Sequence, residues 1–386
     1  MNDARTMCQL IQDSAIIFDL HAHPSLKWSI MRRIFTLNHK AAPRFDPFSL
    51  RTDFSKLRAG GISALNSVIY APEKGLLDDC GLLRLLRFSL PVYKDIASQQ
   101  YFKLTLKMLD EIENMVNEAV APETGEPLAK MALSLRELND LLSLGGKGPI
   151  AYVHCVEGAH SIELDINKLE TLFERGVAYL TLAHFYDNGV APPVFPFPET
   201  MQKLGCFGGK RDLTRGLSEL GVKVVERMIE LGMLIDVTHC TPPARRQIYD
   251  IVGDRAPLLA THVGTAEINP SPYNLQDWEV RTIAEKGGVV GVIFMNYWLA
   301  PYHRLRGIDF VSQTLRHFHQ IAGEDHVGFG SDFDGFTDPP DDLKDAGEMK
   351  FLIQRLVVDG YSQTQIEKLL GLNAWRVLRD GWGKTG

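Results

Sequence analysis

Residues 217–239 read LSELGVKVVERMIELGMLIDVTH, and this stretch decides the fold. From Leu217 to Leu231 apolar residues recur at three- and four-residue steps, the period of an amphipathic helix. From 233 to 238 the chain becomes a nearly continuous apolar run, the mark of a parallel strand covered on both faces. The run ends on His239, a residue able to bind metal. A helix feeding a buried strand that ends in a polar group is the working unit of an α/β barrel.

The same pattern recurs outward in both directions. Strand-like runs lie at 16–21 (IIFDLH), 62–69 (ISALNSVI), 149–154 (PIAYVH), 177–183 (VAYLTLA), 257–261 (PLLAT), 288–294 (GVVGVIF) and 326–331 (HVGFGS). Helical patterns follow at Glu163–Glu174, Ser312–Ile321 and Ser362–Arg379. Eight strands with helices between them predict an α/β fold, a (β/α)8 TIM barrel. The 386 residues suit either one large barrel or two ordinary domains. No Gly/Ser/Pro-rich linker divides them, so residues 1–386 read as a single domain. The stretch from about 75 to 145, containing the amphipathic YFKLTLKMLDEIENMVNEAV, reads as a helical insertion after the second strand. The Pro-rich APPVFPFP at 191–198 follows the fourth strand, which places it on the catalytic face as a wall or cover of the pocket.

Composition narrows the function classes. A net charge of −7 gives no electrostatic footprint for nucleic acid. Lys27, Arg32, Arg33, Lys40, Arg44 and Arg51 are spread among apolar positions and read as a solvated surface. No run approaches the roughly 18 apolar residues of a spanning helix. The opening MNDARTMCQLIQDS lacks an apolar leader core, and the closing GWGKTG is no lipid-anchor signal. Cys8, Cys80, Cys155, Cys206 and Cys240 are odd in number and show no paired spacing, which points to reduced thiols and a cytoplasmic location. Cys155 and Cys240 sit near the candidate metal donors but read as buried free thiols.

The strand ends carry the chemistry. Five of the twelve histidines, His21, His23, His184, His239 and His262, fall at the C-terminal ends of predicted strands, where barrel enzymes keep their sites. Residues two apart on a strand face one side, so His21 and His23 can aim at one ion, and Asp19, of the same parity, can orient one imidazole from behind. Glu157, ending VHCVEG, has two oxygens and can bridge two cations. His21, His23 and Glu157 would hold one ion, and Glu157, His239 and His262 the other. These donors suit two divalent metal ions, zinc best, with manganese, iron and cobalt also compatible. The glycine-rich GCFGGKRD at 205–212 lacks the spacing of a phosphate loop and reads as a flexible loop.

The segments FDLHAHPSL, DFSKLRAGGISALNSVIYAP, VEGAHSIE, VAYLTLAHF, ELGMLIDVTH, HVGFGSDFDG and GLNAWRVL together resemble the membrane dipeptidase family of the amidohydrolase superfamily, from about Ile16 to Arg379. The resemblance implies a binuclear zinc hydrolase, usually a homodimer, that cleaves a small-molecule dipeptide or related amide with a metal-bridging hydroxide. It implies metal ligands at His21, His23, Glu157, His239 and His262, with His184 steadying the oxyanion and Asp332 handling the proton. Substrate contacts are expected from His184, Tyr273 and Asn296. Asp334 reads as fixing a turn with Gly335, and Asn373 and Arg376 as structural.

Two departures from the family pattern stand out. His23 occupies a position where the family carries Asp, leaving the first site one negative charge poorer. Tyr273 stands where the family places an arginine that grips the substrate carboxylate. A tyrosine offers neither the charge nor the bidentate fork, a loss of about 1.5–3 kcal/mol unless Arg281, Arg304 or Arg306 compensates. The substrate expected is therefore one without an ordinary dipeptide's free carboxylate. The alternatives are another amide, such as an N-acyl amino acid or a lactam, or a non-catalytic metal-binding barrel.

Overall fold

The computed structural model describes residues 2–31, 39–79, 93–195, 211–300 and 306–384. Nine parallel strands form one sheet: β1 (Ile17–Ala22), β2 (Ile62–Ile69), β3 (Ala129–Ala132), β4 (Ile150–Glu157), β5 (Val177–Thr181), β6 (Leu234–Asp236), β7 (Leu258–Val263), β8 (Val289–Ile293) and β9 (Val327–Gly330). All but β3 are buried along their whole length, as the continuous apolar runs require. These eight pair in chain order. The ends meet through Asp332 N–H donating to the His21 carbonyl at 2.8 Å and His23 N–H to the Phe333 carbonyl at 2.9 Å. The architecture is the predicted (β/α)8 barrel.

One apolar cluster draws Phe18, Ala64, Val153, Tyr179, Leu234, Leu259 and Val289 from seven different strands. Side chains from so many strands can meet only inside the barrel. The last helix, Asn373–Gly381, adds Ala374, Val377 and Leu378 to this cluster and so closes it. Asn373 and Arg376 fasten that helix to the start of β8 and β9, donating to the Gly287, Gly288, Asp325 and Val327 carbonyls. A one-turn π-helix at Lys368–Leu372 precedes it. There Gly371 lies so close to β1 that a Cβ would stand 2.2 Å from the Ile16 carbonyl oxygen.

Several expectations need correction. The segment between β2 and β4 is helical at Tyr101–Glu118 and Leu135–Leu142, but it also contributes β3, which pairs with the first half of β4 before β5 takes over its second half. Residues 80–92 of that segment lie outside the described residues. The helix expected from Glu163 begins at Lys168, because Glu163 and Leu164 adopt left-handed φ of 50° and 62°. Helices at Pro242–Val252 and Asp277–Glu285 had local signals, a Thr241 cap before two prolines and a Gln276/Glu279 capping box. Lys27 and Arg51 are buried rather than solvated. Lys27 covers the Phe336 ring and donates to the Pro47 carbonyl, while Arg51 binds the Ala42, Arg44 and Lys344 carbonyls. Arg32, Arg33, Cys80 and Cys206 lie outside the described residues. Among those residues no helix is long and apolar enough to cross a membrane.

A buried histidine ties the Tyr101–Glu118 helix to the barrel. His154 Nε2 lies 3.1 Å from Glu113 Oε1, and Arg175 donates to the same oxygen at 2.7 Å. His154 first and Arg175 next hold the Glu113 carboxyl down to about 2, and burial lowers the pKa of His154. Glu113 therefore stabilises the fold fully above its ordinary pKa of 4.5 and loses that contribution as pH falls towards 2. His154, neutral in the fold, adds a penalty once pH drops below its ordinary 6.5. Calorimetry should show the melting temperature falling steadily on acidification, with Glu113→Gln lowering stability at neutral pH and flattening the acid limb.

Candidate metal centre

The candidate ligands emerge from the C-terminal strand ends, as the alternation of apolar run and polar terminus dictates. His21 lies in β1 with His23 just beyond it, Glu157 closes β4, and His262 lies near the end of β7. His184, His239 and Asp332 follow β5, β6 and β9 within three residues. His239 and Asp332 leave their strands through left-handed φ of 67° and 55°. Non-glycine residues in that region are uncommon and concentrate at functional sites.

Glu157 is the hub. Its Oε1 lies 3.3 Å from His239 Nε2 and 3.5 Å from both His21 Nε2 and His262 Nε2. Its Oε2 lies 3.3 Å from His23 Nε2 and from His184 Nε2. The nitrogens of His21 and His23 approach to 3.1 Å, as do those of His239 and His262. Asp332 Oδ1 stands 3.3 Å from His23 Nε2. Gly335 makes room for it, since a Cβ there would come within 2.1 Å of that oxygen. Burial pushes Glu157 up, but His184 and His21 outweigh it and hold the carboxyl well below its usual range. Burial lowers His184 and His262. His23 is pulled the other way, to about 10, where hydrogen bonds to Asp332 and Glu157 overcome its burial.

The groups behind the imidazoles fix their tautomers. Tyr179 donates its hydroxyl proton to the Leu20 carbonyl at 3.0 Å, so its oxygen, 2.9 Å from His21 Nδ1, must accept. Thr261 donates to Asp236 Oδ2 at 2.7 Å and likewise accepts from His262 Nδ1 at 2.8 Å. Both histidines therefore carry the proton on Nδ1 and turn a bare Nε2 lone pair inward. Glu157 Oε1 is buried without a hydrogen-bond partner. Ring nitrogens converging on an unsatisfied carboxylate oxygen fit divalent cations. The potential donor groups His21–His23–Asp332 and Glu157–His239–His262 each have their donor atoms within 4.8 Å of one another.

Sequence reasoning missed this outer layer. Asp236, a charge inside the run LIDVTH, accepts from Thr181, Thr238 and Thr261 and so knits β5, β6 and β7 together. Glu73 was also missed, its Oε2 3.8 Å from His184 Nδ1. Asp19 does not orient an imidazole. Its carboxylate accepts from the His21 and Ser331 N–H groups and from the Ser331 hydroxyl, sealing β1 to β9. Asp334 reaches beyond its turn to accept from Arg51 N–H, Thr52 N–H and the Thr52 hydroxyl. Cys155 and Cys240 are buried free thiols outside the donor groups.

The expected substrate contacts are engaged elsewhere. Tyr273 donates its hydroxyl to the His262 carbonyl at 2.8 Å and stacks on Trp298, with ring centres 4.4 Å apart. Asn296 donates to the Pro339 carbonyl and accepts from Gly307 N–H. Arg306 is paired with Asp338 and Asp341, Arg281 is exposed, and Arg304 lies outside the described residues. The Pro-rich segment runs beside His239, with Val194 N–H donating to its carbonyl at 2.8 Å. Residues 196–198 of that segment, and 205–210 of the glycine-rich loop, lie outside the described residues.

An eight-stranded parallel barrel with this donor set at its mouth defines a class, the metal-dependent hydrolases of barrel type. A sequence profile described as membrane dipeptidase (peptidase family M19) matches residues 5–381. The chain belongs to the membrane dipeptidase family, peptidase family M19. It is 27% identical over 365 residues to dipeptidase ataJ of Aspergillus terreus, covering 91% of this chain and 81% of that protein. An uncharacterised dipeptidase of Schizosaccharomyces pombe is 32% identical over 240 residues, 62% of this chain and 54% of that one. A metallopeptidase from Rhodobacter sphaeroides, solved with a phosphinate mimic of L-Ala-D-Ala, shares the fold with a TM-score of 0.76 and 22% identity, covering 96% of this chain and 100% of that one.

Removing the groups that hold the tautomers should weaken metal binding without unfolding the barrel. Tyr179→Phe and Thr261→Val are each expected to lower metal affinity about 10- to 100-fold. Chelator competition would measure this, and unchanged affinity in both variants would remove the orienting role.

Proposed function

We propose that the protein is a zinc-dependent, dipeptidase-like hydrolase that uses two divalent cations. The observation that carries this reading is the convergence of five imidazole Nε2 atoms on the two oxygens of Glu157. His21, His23 and Glu157 would hold one ion and Glu157, His239 and His262 the other, with Asp332 beside the first. Bound there, the cations supply an activated water at neutral pH and polarise the scissile carbonyl.

The chain's own residues do the rest. His184 faces the donor set through Nε2 and donates to the oxygen on which charge develops, a contact worth roughly 3–4 kcal/mol of barrier. Asp332 accepts the proton of the attacking water and returns it to the departing amine. The names of the Aspergillus relative and of the ligand in the Rhodobacter enzyme support a dipeptide as substrate. The unpaired thiols of Cys8, Cys155 and Cys240 support a reducing, cytoplasmic setting. A homodimer belongs to the same reading, on the family resemblance. A single domain with a helical insertion between β2 and β4 is supported by the shared sheet.

A second reading, hydrolysis of an amide without a free carboxylate, draws on Tyr273, whose hydroxyl is spent on the His262 carbonyl. Tyr273→Phe should then leave KM within about twofold and cost about 1 kcal/mol of stability through the lost hydrogen bond.

Metal analysis paired with a dipeptide library bearing L and D C-terminal residues tests the main reading. Two metal equivalents per chain are expected, with activity lost on chelation and restored by zinc. Asp332→Asn should lower kcat by about 10²- to 10⁴-fold. Full activity in that variant, or in metal-free protein, would reject the mechanism.

A further inference from the structure

The loop leaving β5 carries a cation that the metal chemistry does not use. Arg211 holds its guanidinium between two aromatic rings, with Cζ 5.3 Å from the Tyr186 ring centre and 5.4 Å from that of Phe195. Both rings belong to segments anchored at the site. Tyr186 N–H donates to Glu73 Oε1 at 3.2 Å, and Glu73 Oε2 lies 3.8 Å from His184 Nδ1. Phe195 follows Val194, whose N–H donates to the His239 carbonyl. The guanidinium is thus strung between the His184 side and the His239 side of the barrel mouth.

Nε and Nη2 are buried and have no hydrogen-bond partner among the described residues. The acidic groups whose fields reach it are Glu73, Asp79 and Asp187, and each is engaged elsewhere. Glu73 accepts from the Tyr70 hydroxyl and Tyr186 N–H, Asp79 from the Tyr186 hydroxyl, and Asp187 pairs with Arg215. Arg211 as a whole is half-buried, and leaving that one buried edge unpaired carries a free-energy cost; burial lowers its pKa.

The two unsatisfied nitrogens are also the right pair. Nε and Nη2 form one edge of the guanidinium, the edge that grips a carboxylate through two parallel bonds. Arg245 uses this edge on Glu279, with Nε–Oε1 at 2.6 Å and Nη2–Oε2 at 3.0 Å. In Arg211 the same edge has no partner among the described residues.

We propose that Arg211 binds the free carboxylate of the substrate, performing from the β5 loop a task for which the β7 loop offers only Tyr273. The substrate class is then a dipeptide with an unblocked C-terminus, and the assignment rests on the hydrolase reading above. A carboxylate held there places the scissile bond towards His184 and the candidate metal ligands.

The test compares alanyl-alanine, in both C-terminal configurations, with its C-terminal amide on zinc-loaded wild type and Arg211→Met. Wild type is expected to favour the acid more than tenfold in kcat/KM. Arg211→Met should lower kcat/KM for the acid about 10- to 100-fold, chiefly through KM, leave the amide unchanged and leave the melting temperature no lower. Equal losses on acid and amide, or no acid preference in wild type, would overturn the assignment. If wild type hydrolyses neither compound, the dipeptidase reading falls, and calorimetry with a phosphinate dipeptide mimic decides the clamp. Binding to wild type that Arg211→Met loses upholds it, and absent or equal binding overturns it.

Discussion

Asp19 holds the two ends of the barrel together, and the site exists because that seam closes. Its buried carboxylate gathers the His21 and Ser331 N–H groups and the Ser331 hydroxyl. Just past this point His21 and Asp332 are joined backbone to backbone, as are His23 and Phe333. Closing the sheet and setting Asp332 against His23 are therefore one event. Burial raises the Asp19 carboxyl to about 6, so the seam is built at an electrostatic cost that the hydrogen-bonded ladders of the rest of the sheet must carry.

The interior is organised as two layers of opposite character. Inside stands Glu157, its carboxyl held low and five imidazoles around it, with Oε1 left without a hydrogen-bond partner among the described residues. Around it run Tyr179, Thr261 and Asp236, each with its hydrogen bonds assigned. The outer layer holds His21 and His262 from behind, whereas Nδ1 of His23, His184 and His239 has no hydrogen-bond partner among the described residues. For His21 and His262 the far side of the ring is already held, so these two imidazoles are presented inward without rearrangement.

Much of this was legible in the sequence. Apolar runs ending in His or a carboxylate located eight strands and the polar side chains that converge at their ends, because a parallel barrel buries both faces of each strand and frees only its end. What stayed hidden depends on partners distant in sequence. Nothing local distinguishes Asp19 as a seam rather than an imidazole partner, since its partner Ser331 lies at the far end of the chain. β3 was hidden because half its residues face outward, which breaks the apolar run. Lys27 and Arg51 looked solvated because their burial rests on main-chain carbonyls, which every residue carries. Arg211 passed as part of a flexible loop, since an unpaired charge shows only against a known surrounding.

The left-handed backbone at His239 has a consequence for how metal sites of this shape can diverge. Few side chains besides Asn and Asp tolerate φ near 67° alongside histidine, and β-branched residues are penalised there. His23, by contrast, just beyond β1, lies outside the left-handed set. A carboxylate and an imidazole can thus be exchanged at position 23 without backbone strain, while position 239 is locked to a short menu. At position 239 backbone geometry, ahead of side-chain chemistry, decides which residues can stand.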